Sequence, residues 1–223
     1  MAPTNQNNMS GDGKFFIWVI IAAVLAIVGF IIFGGKSSDN PDVVIDTTVG
    51  QRLGSDSAKV KIVEFGDFQC PACQAAAGPL KQAYEKNSKD VQLIFRNIPL
   101  SIHSNADESS QAAEAAGKQG KFWEMYDVLY AEQSTWAQLA NPLEQFVTYA
   151  TALGMDADKF RSDYSSSAVA KIIQSDKAAA DQAGVTSTPT FFVNNEKIVG
   201  AQSVEQWQNI IDRKLAEAKS ANQ

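Results

Sequence analysis

Along the chain, hydrophobic residues form one long uninterrupted run and, after it, short apolar stretches that alternate with helical periodicity. The uninterrupted run covers residues 15–33 and contains no charged side chain. In a helix that rises about 1.5 Å per residue, this length spans roughly 28 Å, close to the hydrocarbon thickness of a bilayer. The pattern predicts one transmembrane helix at residues 15–33. The polar residues 1–14 before it predict a disordered tail.

Two other interpretations of residues 15–33 are weaker. A helix of a globular core would show one apolar face, whereas this run is apolar all round. A cleaved signal peptide has an apolar region of about 7–15 residues and a small-x-small cleavage site. Lys14 and Lys36 flank the run on its two sides, so positive charge does not fix its orientation. An uncleaved anchor is the preferred interpretation, and cleavage is the alternative.

The chain after the anchor predicts a linker followed by one folded domain. Residues 34–53 begin with Gly, Ser, Asp, Asn and Pro, which are typical of a flexible tether leading to a domain. The domain is predicted at residues 54–220. It opens with a β-rich apolar strand at residues 59–65, a helix at residues 71–87 and a second strand at residues 91–98.

A block of helices follows the second strand. Helical periodicity dominates at about residues 105–184. The pattern then returns to strands at residues 190–193 and 197–199, which are joined by a tight turn, and ends in an amphipathic helix at residues 204–218. Central strands flanked by helices in this order predict an α/β layer fold.

The composition excludes several classes of function. The chain of 223 residues has a net charge of −6, which argues against nucleic acid as a partner. One histidine and two cysteines are too few for a closed structural zinc site, and two cysteines cannot form a dense disulfide scaffold. The candidate chemistry of the sequence is therefore concentrated in the two cysteines.

Cys70 and Cys73 lie where the first predicted strand gives way to the first predicted helix. Unpaired N–H groups and the helix dipole stabilise a thiolate at a helix start, so the pKa of Cys70 is expected to fall. Cys73 lies one turn further and can close a disulfide with Cys70 as the more buried, resolving thiol. The spacing predicts a redox pair. Two incidental buried cysteines, or half of a metal site, are the alternatives.

Glu64 and the Thr188-Pro189 dipeptide are the next candidates. Glu64 lies among Val and Ile in a strand expected to be buried, where an acid is costly unless it is paired or functional. It could accept the proton of Cys73, and the alternative is an edge-strand glutamate that faces solvent. Thr188-Pro189 precedes the strand at residues 190–193. A cis peptide bond there could lie beside the cysteines, and an ordinary trans proline is the alternative.

The segments VEFGDFQCPAC and TPTFFVN resemble the DsbA-like thioredoxin-fold oxidoreductases, and more narrowly the membrane-anchored BdbD-type members. The resemblance implies a thioredoxin fold with a helical domain inserted at about residues 105–184. It implies Cys70 as nucleophile, Cys73 as resolving cysteine and Glu64 as buried acid. It also implies a cis-proline at Pro189 with a peptide-binding groove beside it.

Within that family pattern, three features refine the prediction. Pro71 and Ala72 stand where the strongest oxidants of the family carry a histidine, which implies a milder oxidant. Thr188, Pro71 and Ala72 are predicted to contact the substrate. His103, the sole histidine, occupies a region where similar proteins often carry one, and a role at the surface or at a helix start is preferred.

The sequence thus predicts an extracytoplasmic oxidase, held in the cell membrane by a single span, that introduces disulfides into exported proteins with free thiols. The resemblance implies a membrane partner, similar to VKOR or DsbB, that reoxidises it. No cofactor and no metal site are predicted, since the acids around residues 156–163 lack EF-hand spacing. A monomer is expected. The alternatives are a disulfide reductase or isomerase, a non-catalytic peptide-binding chaperone-like module, and a redox sensor that faces the cytosol.

Overall fold

The computed structural model describes residues 44–221. The predicted tail at residues 1–14 and the predicted transmembrane helix at residues 15–33 lie outside this range. Within it, none of the helices combines the length and the apolar character that crossing a bilayer requires.

Five strands form a single mixed sheet in the described part of the chain. Their order across the sheet is β1-β3-β2-β4-β5. Strands β2 and β3 are parallel, and the other neighbouring pairs are antiparallel. The strands are β1 (Gln51–Leu53), β2 (Val60–Gly66), β3 (Val91–Asn97), β4 (Thr190–Val193) and β5 (Glu196–Val199).

Eight helices accompany the sheet within residues 44–221. Helix α1 connects β2 to β3, helices α2 to α7 lie between β3 and β4, and α8 closes the domain. The helices are α1 (Pro71–Asn87), α2 (Ala106–Gly117), α3 (Phe122–Ala131), α4 (Gln133–Trp136), α5 (Leu143–Ala152), α6 (Ala157–Tyr164), α7 (Ser167–Gln182) and α8 (Val204–Ser220). The predicted α/β fold with a helical block between its strands is confirmed, although the sequence did not predict the short α4.

The central strand β2 is buried on both faces, which explains its nearly continuous run of apolar residues. Ile62 faces the layer of α1 and α8 and belongs to the same cluster as Trp207. Val63, the next residue, faces α7 and packs in the cluster that contains Ala180. This alternation places Glu64 on the side of α1, two residues after Ile62.

The segment predicted as a linker, residues 34–53, ends in a strand. β1 pairs with β3 through Arg52 and Ile94 and forms one edge of the sheet. Gly50 and Gly54 flank β1 with φ angles of +110° and +99°, and a Cβ atom at either position would come within 2.8 Å of a β3 carbonyl oxygen. These glycines permit close approach of two strands rather than flexibility.

A buried polar cluster joins the sheet to the helical block. Arg96 of β3 and Asp176 of α7 form an ion pair, with side chains 3% and 1% exposed. The side-chain Nδ2 of Asn97 donates to Asp176 Oδ2 at 3.0 Å and to Glu114 Oε1 at 2.8 Å. Gln51 of β1 donates to the other oxygen of Glu114 at 2.6 Å. In this cluster the guanidinium of Arg96 pairs with Asp176, and the side-chain amide of Asn97 connects Asp176 to Glu114.

The cluster makes stability depend on pH. Burial raises the pKa of Glu114 from 4.5 to about 7. The contribution of Glu114 to the free energy of unfolding is complete below its pKa in the unfolded chain, 4.5. It is lost as pH rises through its pKa in the folded chain, about 7, because the carboxyl ionises first in the unfolded chain. We expect the free energy of unfolding to fall by about 2–3 kcal/mol between roughly pH 5 and pH 7 from this group. Urea denaturation of the full chain across this range measures the change.

Glu114→Gln is expected to remove this part of the pH dependence, because glutamine does not ionise. Glu85→Gln makes the same substitution at an exposed position and is expected to leave the slope unchanged. Equal slopes in the wild type and in Glu114→Gln would contradict the assignment.

Candidate active site

Cys70 and Cys73 lie at the amino end of α1, as the sequence predicts. Cys70 is the residue just before the helix, in an extended conformation, and Pro71 is the first helical residue. The N–H of Cys70 donates to the carbonyl oxygen of Asp67 at 3.1 Å, which closes the turn between β2 and α1. Cys70 is 8% exposed, Cys73 is fully buried, and both are free thiols.

The surroundings of the two thiols shift their pKa values in opposite directions. A hydrogen bond from the Cys73 thiol, with further help from Thr188 and the backbone N–H groups of Cys73 and Ala72, lowers the pKa of Cys70 from 9.0 to about 5. Burial, together with the bond to Cys70 and the nearby Glu64 carboxyl, raises the pKa of Cys73 far above its ordinary value. At neutral pH the pair therefore consists of one thiolate and one thiol.

This asymmetry predicts the alkylation behaviour of the reduced chain. Iodoacetamide is expected to modify Cys70 with a half-maximal rate near pH 5, because the thiolate is the reacting form. Cys73 is expected to stay unmodified in the folded chain. Cys73→Ala removes the main stabilising hydrogen bond and should move the midpoint up by about one pH unit or more. A wild-type midpoint above about pH 8, the range of an ordinary cysteine, would contradict this prediction.

The Thr188-Pro189 segment lies directly beside Cys70. The peptide bond between the two residues is cis, so the trans alternative is wrong. The Cys70 thiol donates to the Thr188 carbonyl oxygen at 3.6 Å. Pro189 is buried, and its carbonyl accepts the N–H of Gly200 at 2.9 Å, which fixes the loop against the end of β5. Two segments separated by 118 positions in sequence thus meet at one sulfur atom.

Glu64 is buried beneath the cysteines. It lies on β2 between Phe95 and Phe191 of the neighbouring strands, and it is 2% exposed. Because β2 is a central strand, the alternative of an edge-strand glutamate is wrong. The Tyr126 hydroxyl donates to Glu64 Oε2 at 3.0 Å, and burial raises the pKa of Glu64 from 4.5 to about 8. The acid is close enough to Cys73 for its charge to raise the pKa of that thiol.

Pro71 and Ala72, the two residues between the cysteines, are exposed, while Thr188 is half-buried. All three border the Cys70 sulfur or follow it directly in the chain. Their predicted contact with substrate stays a prediction.

A sequence model described as thioredoxin matches residues 46–213, which include both cysteines, the buried acid and the cis-proline. The chain belongs to the thioredoxin family.

Among relatives of this thioredoxin-family chain is the probable disulfide bond formation protein D of Bacillus anthracis. It is 30% identical over 213 residues, which cover 88% of this chain and 94% of the relative. The chain therefore belongs to the same family as this disulfide bond formation protein, and the predicted resemblance to DsbA-like proteins is confirmed.

Other relatives are much longer proteins. The Na(+)/H(+) antiporter NhaA 1 of Salinispora arenicola is 37% identical over 164 residues, which are 73% of this chain but 24% of the antiporter. The thioredoxin-family chain therefore spans about a quarter of that relative's length.

Solved structures confirm the fold of the family. BdbD from Bacillus subtilis in its oxidised form has a TM-score of 0.66 at 22% identity, with 74% of this chain and 92% of that chain covered. The α-DsbA1 protein of Wolbachia pipientis has a TM-score of 0.69 at 20% identity, with 82% and 98% covered. The predicted thioredoxin fold with inserted helices is confirmed.

Beside the family motifs, the structure adds an acid that the sequence did not single out. Asp67 is fully buried in the turn before Cys70 and accepts the N–H groups of Gln69 at 2.7 Å and Leu100 at 3.0 Å. Its Oδ2 is also 2.7 Å from Nδ1 of His103, whose side chain is 18% exposed. The ring of His103 thus contacts the redox turn, three residues before α2 begins, and its predicted role at the surface or at a helix start stays a prediction.

Buried amides connect the same turn of this thioredoxin-family chain to the helical insertion. Gln133 Nε2 donates to the carbonyl oxygens of Phe68 at 2.7 Å and Cys70 at 3.2 Å. Gln69 Nε2 donates to the Ala137 carbonyl oxygen at 2.8 Å, and Gln69 Oε1 accepts the N–H of Asn105 at 2.6 Å. These amides satisfy backbone groups that would otherwise be buried without partners.

Residues 44–221 contain no group of three or more His, Cys, Asp or Glu side chains arranged to hold a metal ion. Asp156, one of the acids considered in the sequence, caps α6 by accepting the N–H of Lys159 at 2.8 Å.

Proposed function

We propose that the chain is a disulfide oxidase that transfers its Cys70–Cys73 disulfide to other proteins. The observation that carries this proposal is the asymmetry of the two thiols at the start of α1. An accessible Cys70 whose thiolate is stabilised favours the reduced form of the pair. A stabilised reduced form makes the disulfide form a stronger oxidant. Membership of the DsbA-like family supports the same direction.

The transfer proceeds by two exchanges. A substrate thiolate attacks the Cys70 sulfur, a new S–S bond forms between substrate and Cys70, and the Cys70–Cys73 bond breaks with its electron pair on Cys73. The second substrate thiolate then attacks the substrate sulfur of the mixed disulfide and releases Cys70 as a thiolate. Two electrons pass from the substrate dithiol to the enzyme disulfide.

Glu64 supplies the proton that the buried sulfur needs. A thiolate at Cys73 is strongly disfavoured by burial, so it takes a proton from the protonated carboxyl of Glu64 as the Cys70–Cys73 bond breaks. In the reverse direction, when the pair is reoxidised, the ionised carboxyl of Glu64 accepts the proton of Cys73. A pKa of about 8 allows both protonation states near neutral pH.

Substrate is proposed to lie across Thr188, Pro71 and Ala72. The exposed Pro71 and Ala72 border the reacting sulfur on one side and the Thr188-Pro189 loop borders it on the other. The absence of a cation at Pro71 and Ala72 favours a milder oxidant than family members with histidine in this position.

The direction of exchange is tested with the oxidised full chain and a reduced, unfolded test protein with two cysteines. Formation of the test protein's disulfide at the expense of the enzyme's is the expected result. The reduction potential is expected to lie above the thioredoxin value of about −270 mV. A potential at or below that value would favour a reductase. No transfer at all from an intact Cys70–Cys73 disulfide would favour a peptide-binding module without turnover.

We further propose that residues 15–33 anchor the chain in the cell membrane, with residues 34–53 as the approach to a domain at residues 54–220 outside the cytoplasm. The apolar run and the name of the Bacillus anthracis relative support this location. Exported proteins would be the substrates of a monomer, and a membrane protein similar to VKOR or DsbB would reoxidise it. A thiol reagent that cannot cross membranes should label Cys70 on intact cells after mild reduction. Labelling only after lysis would favour a sensor that faces the cytosol.

A further inference from the structure

Tyr126 is the one described side chain that forms a hydrogen bond with Glu64. Its hydroxyl donates to Oε2 at 3.0 Å, while Oε1 of the same carboxyl has no hydrogen-bond partner among residues 44–221. Tyr126 is 4% exposed and belongs to α3 of the helical insertion, whereas Glu64 belongs to the sheet. The acid beneath the cysteines is thus held by a residue from a different layer of the fold.

We propose that Tyr126 is the positioning residue of Glu64, holding its carboxyl beneath Cys73 and setting the pH range over which that carboxyl exchanges a proton with the resolving thiol. The inference deepens the proposed function and rests on it. The proton transfer itself is the one already described, between the Glu64 carboxyl and the Cys73 sulfur. Tyr126 gains and loses no proton in that transfer, and it acts through the hydrogen bond alone.

The surroundings leave few other groups that could take this role. The strand neighbours of Glu64 are Phe95 and Phe191, which carry no charge. From α1 the titratable group is Cys73, and from α3 the groups are Tyr126 and Tyr130, both of which interact electrostatically with the Glu64 carboxyl. No cationic side chain forms an ion pair with Glu64 among the residues that the structure describes.

The phenol is suited to this role because it remains a donor. Burial raises the pKa of Tyr126 well above its ordinary value of 10, so its hydroxyl stays protonated throughout the working range of the enzyme. A hydrogen bond to a carboxylate favours the ionised form, and in this site it opposes the effect of burial on Glu64. Without it, the carboxyl would ionise only at higher pH.

Tyr126, which contacts the buried acid, also lines two surface cavities. It lines one of about 360 Å³ together with Leu80 and Trp123, and a second of about 340 Å³ together with Gln74. Cavities of this size hold several water molecules. Tyr126 therefore contacts both the buried carboxyl of Glu64 and water-accessible space.

Tyr126→Phe tests the proposal because it removes the hydroxyl and keeps the ring. The readout is the infrared redox difference spectrum of the full chain, in which the carboxyl band of Glu64 is identified by its loss in Glu64→Gln. We expect the apparent pKa of Glu64 to rise by about 1–2 units in Tyr126→Phe. The carboxyl band should also shift to higher frequency, because one hydrogen bond to the group is lost.

Tyr130→Phe is the matched control. Tyr130 lies one helical turn further along α3, is also 4% exposed, and packs against Tyr126 with ring centroids 4.8 Å apart. Its hydroxyl donates to the Asp67 carbonyl oxygen at 3.5 Å, and it forms no hydrogen bond with Glu64 in the described part of the chain. The titration of Glu64 is expected to stay within about 0.3 units of the wild type in this variant.

A kinetic measurement separates this role from simple packing. The attack of Cys73 on a mixed disulfide at Cys70 should slow about tenfold or more near pH 7 in Tyr126→Phe and approach the wild-type rate at high pH, where Glu64 is ionised in both. A uniform loss at every pH would overturn the proposal, as would a wild-type Glu64 titration in Tyr126→Phe or an equal shift in Tyr130→Phe. The spectroscopic titration needs no turnover, so it stands even if the chain proves to be a reductase.

Discussion

Cys70→Ser is expected to reduce disulfide transfer to a test protein to the uncatalysed background, a loss of about a thousandfold or more. The hydroxyl that replaces the thiolate cannot form a disulfide, so neither exchange step can occur. The thiolate at Cys70 is the one sulfur nucleophile that is both stabilised and accessible in the described chain. The measurement is the rate at which the oxidised enzyme, or the variant, introduces a disulfide into a reduced, unfolded protein.

Cys73→Ser is the informative partner of this variant. It keeps the nucleophile but removes the resolving thiol. The Cys70 thiolate that attacks a disulfide of another protein therefore forms a mixed disulfide and releases one thiolate of that protein, and this mixed disulfide should accumulate and be visible on non-reducing gels. The double variant should accumulate none. Mixed disulfides that form through Cys73 in Cys70→Ser would reverse the assignment of the two roles.

Arg96→Ala is expected to lower the free energy of unfolding by about 3–5 kcal/mol, the largest effect on stability that we predict. Arg96 is the cation that compensates Asp176 in the interior, and its guanidinium also lies 5.9 Å from the centre of the Phe65 ring. Removing it leaves the buried carboxyl group of Asp176 without its counter-ion. Chemical denaturation of the full chain at neutral pH measures the loss.

Lys81→Ala removes a lysine from another ion pair, with Asp127, in which both side chains are nearly half exposed. Solvent screens such a pair, so a change of at most about 1 kcal/mol is expected. The deficit of Arg96→Ala should shrink towards pH 5, because the uncompensated carboxyl group becomes protonated. Two outcomes would show that buried charge is not the cause of the stability loss in Arg96→Ala. One is an equal loss in Lys81→Ala, and the other is a loss that does not depend on pH.

The sequence predicts the sheet and the long helices well because their patterns are strong. β2 and β3 are rich in apolar residues and buried along nearly their whole length, and α1 and α8 carry clear periodicity. The strand β1 escapes prediction since three residues at a sheet edge are too short to show alternation. In the sequence alone, Gly50 and Gly54 beside β1 indicate a flexible linker, because their close approach to β3 is visible only in the structure.

The candidate site divides along a similar line. Cys70, Cys73 and Glu64 can be recognised from the sequence. The two cysteines lie three positions apart at a strand-to-helix boundary, and Glu64 is an acid within an apolar strand just before them. Asp67 does not stand out, because aspartate is common in turns and its partner His103 lies 36 positions away in sequence. Tyr126 is likewise an ordinary aromatic on an amphipathic helix until the fold brings it to Glu64, across 62 positions in sequence. The sequence shows which groups react, whereas the groups that hold them are found by tertiary contact.

The amides that join the redox turn to α4 make the two a single cooperative unit. Gln133 is bonded to the carbonyl groups of Phe68 and Cys70, so α4 cannot separate from the sheet without leaving those carbonyl groups unpaired in the interior. A local opening of the insertion therefore deforms the turn that carries the nucleophile, whereas fraying at the edge strand β5 does not break these bonds. The geometry of the Cys70 nucleophile is therefore maintained only while α4 of the helical insertion remains folded against the sheet.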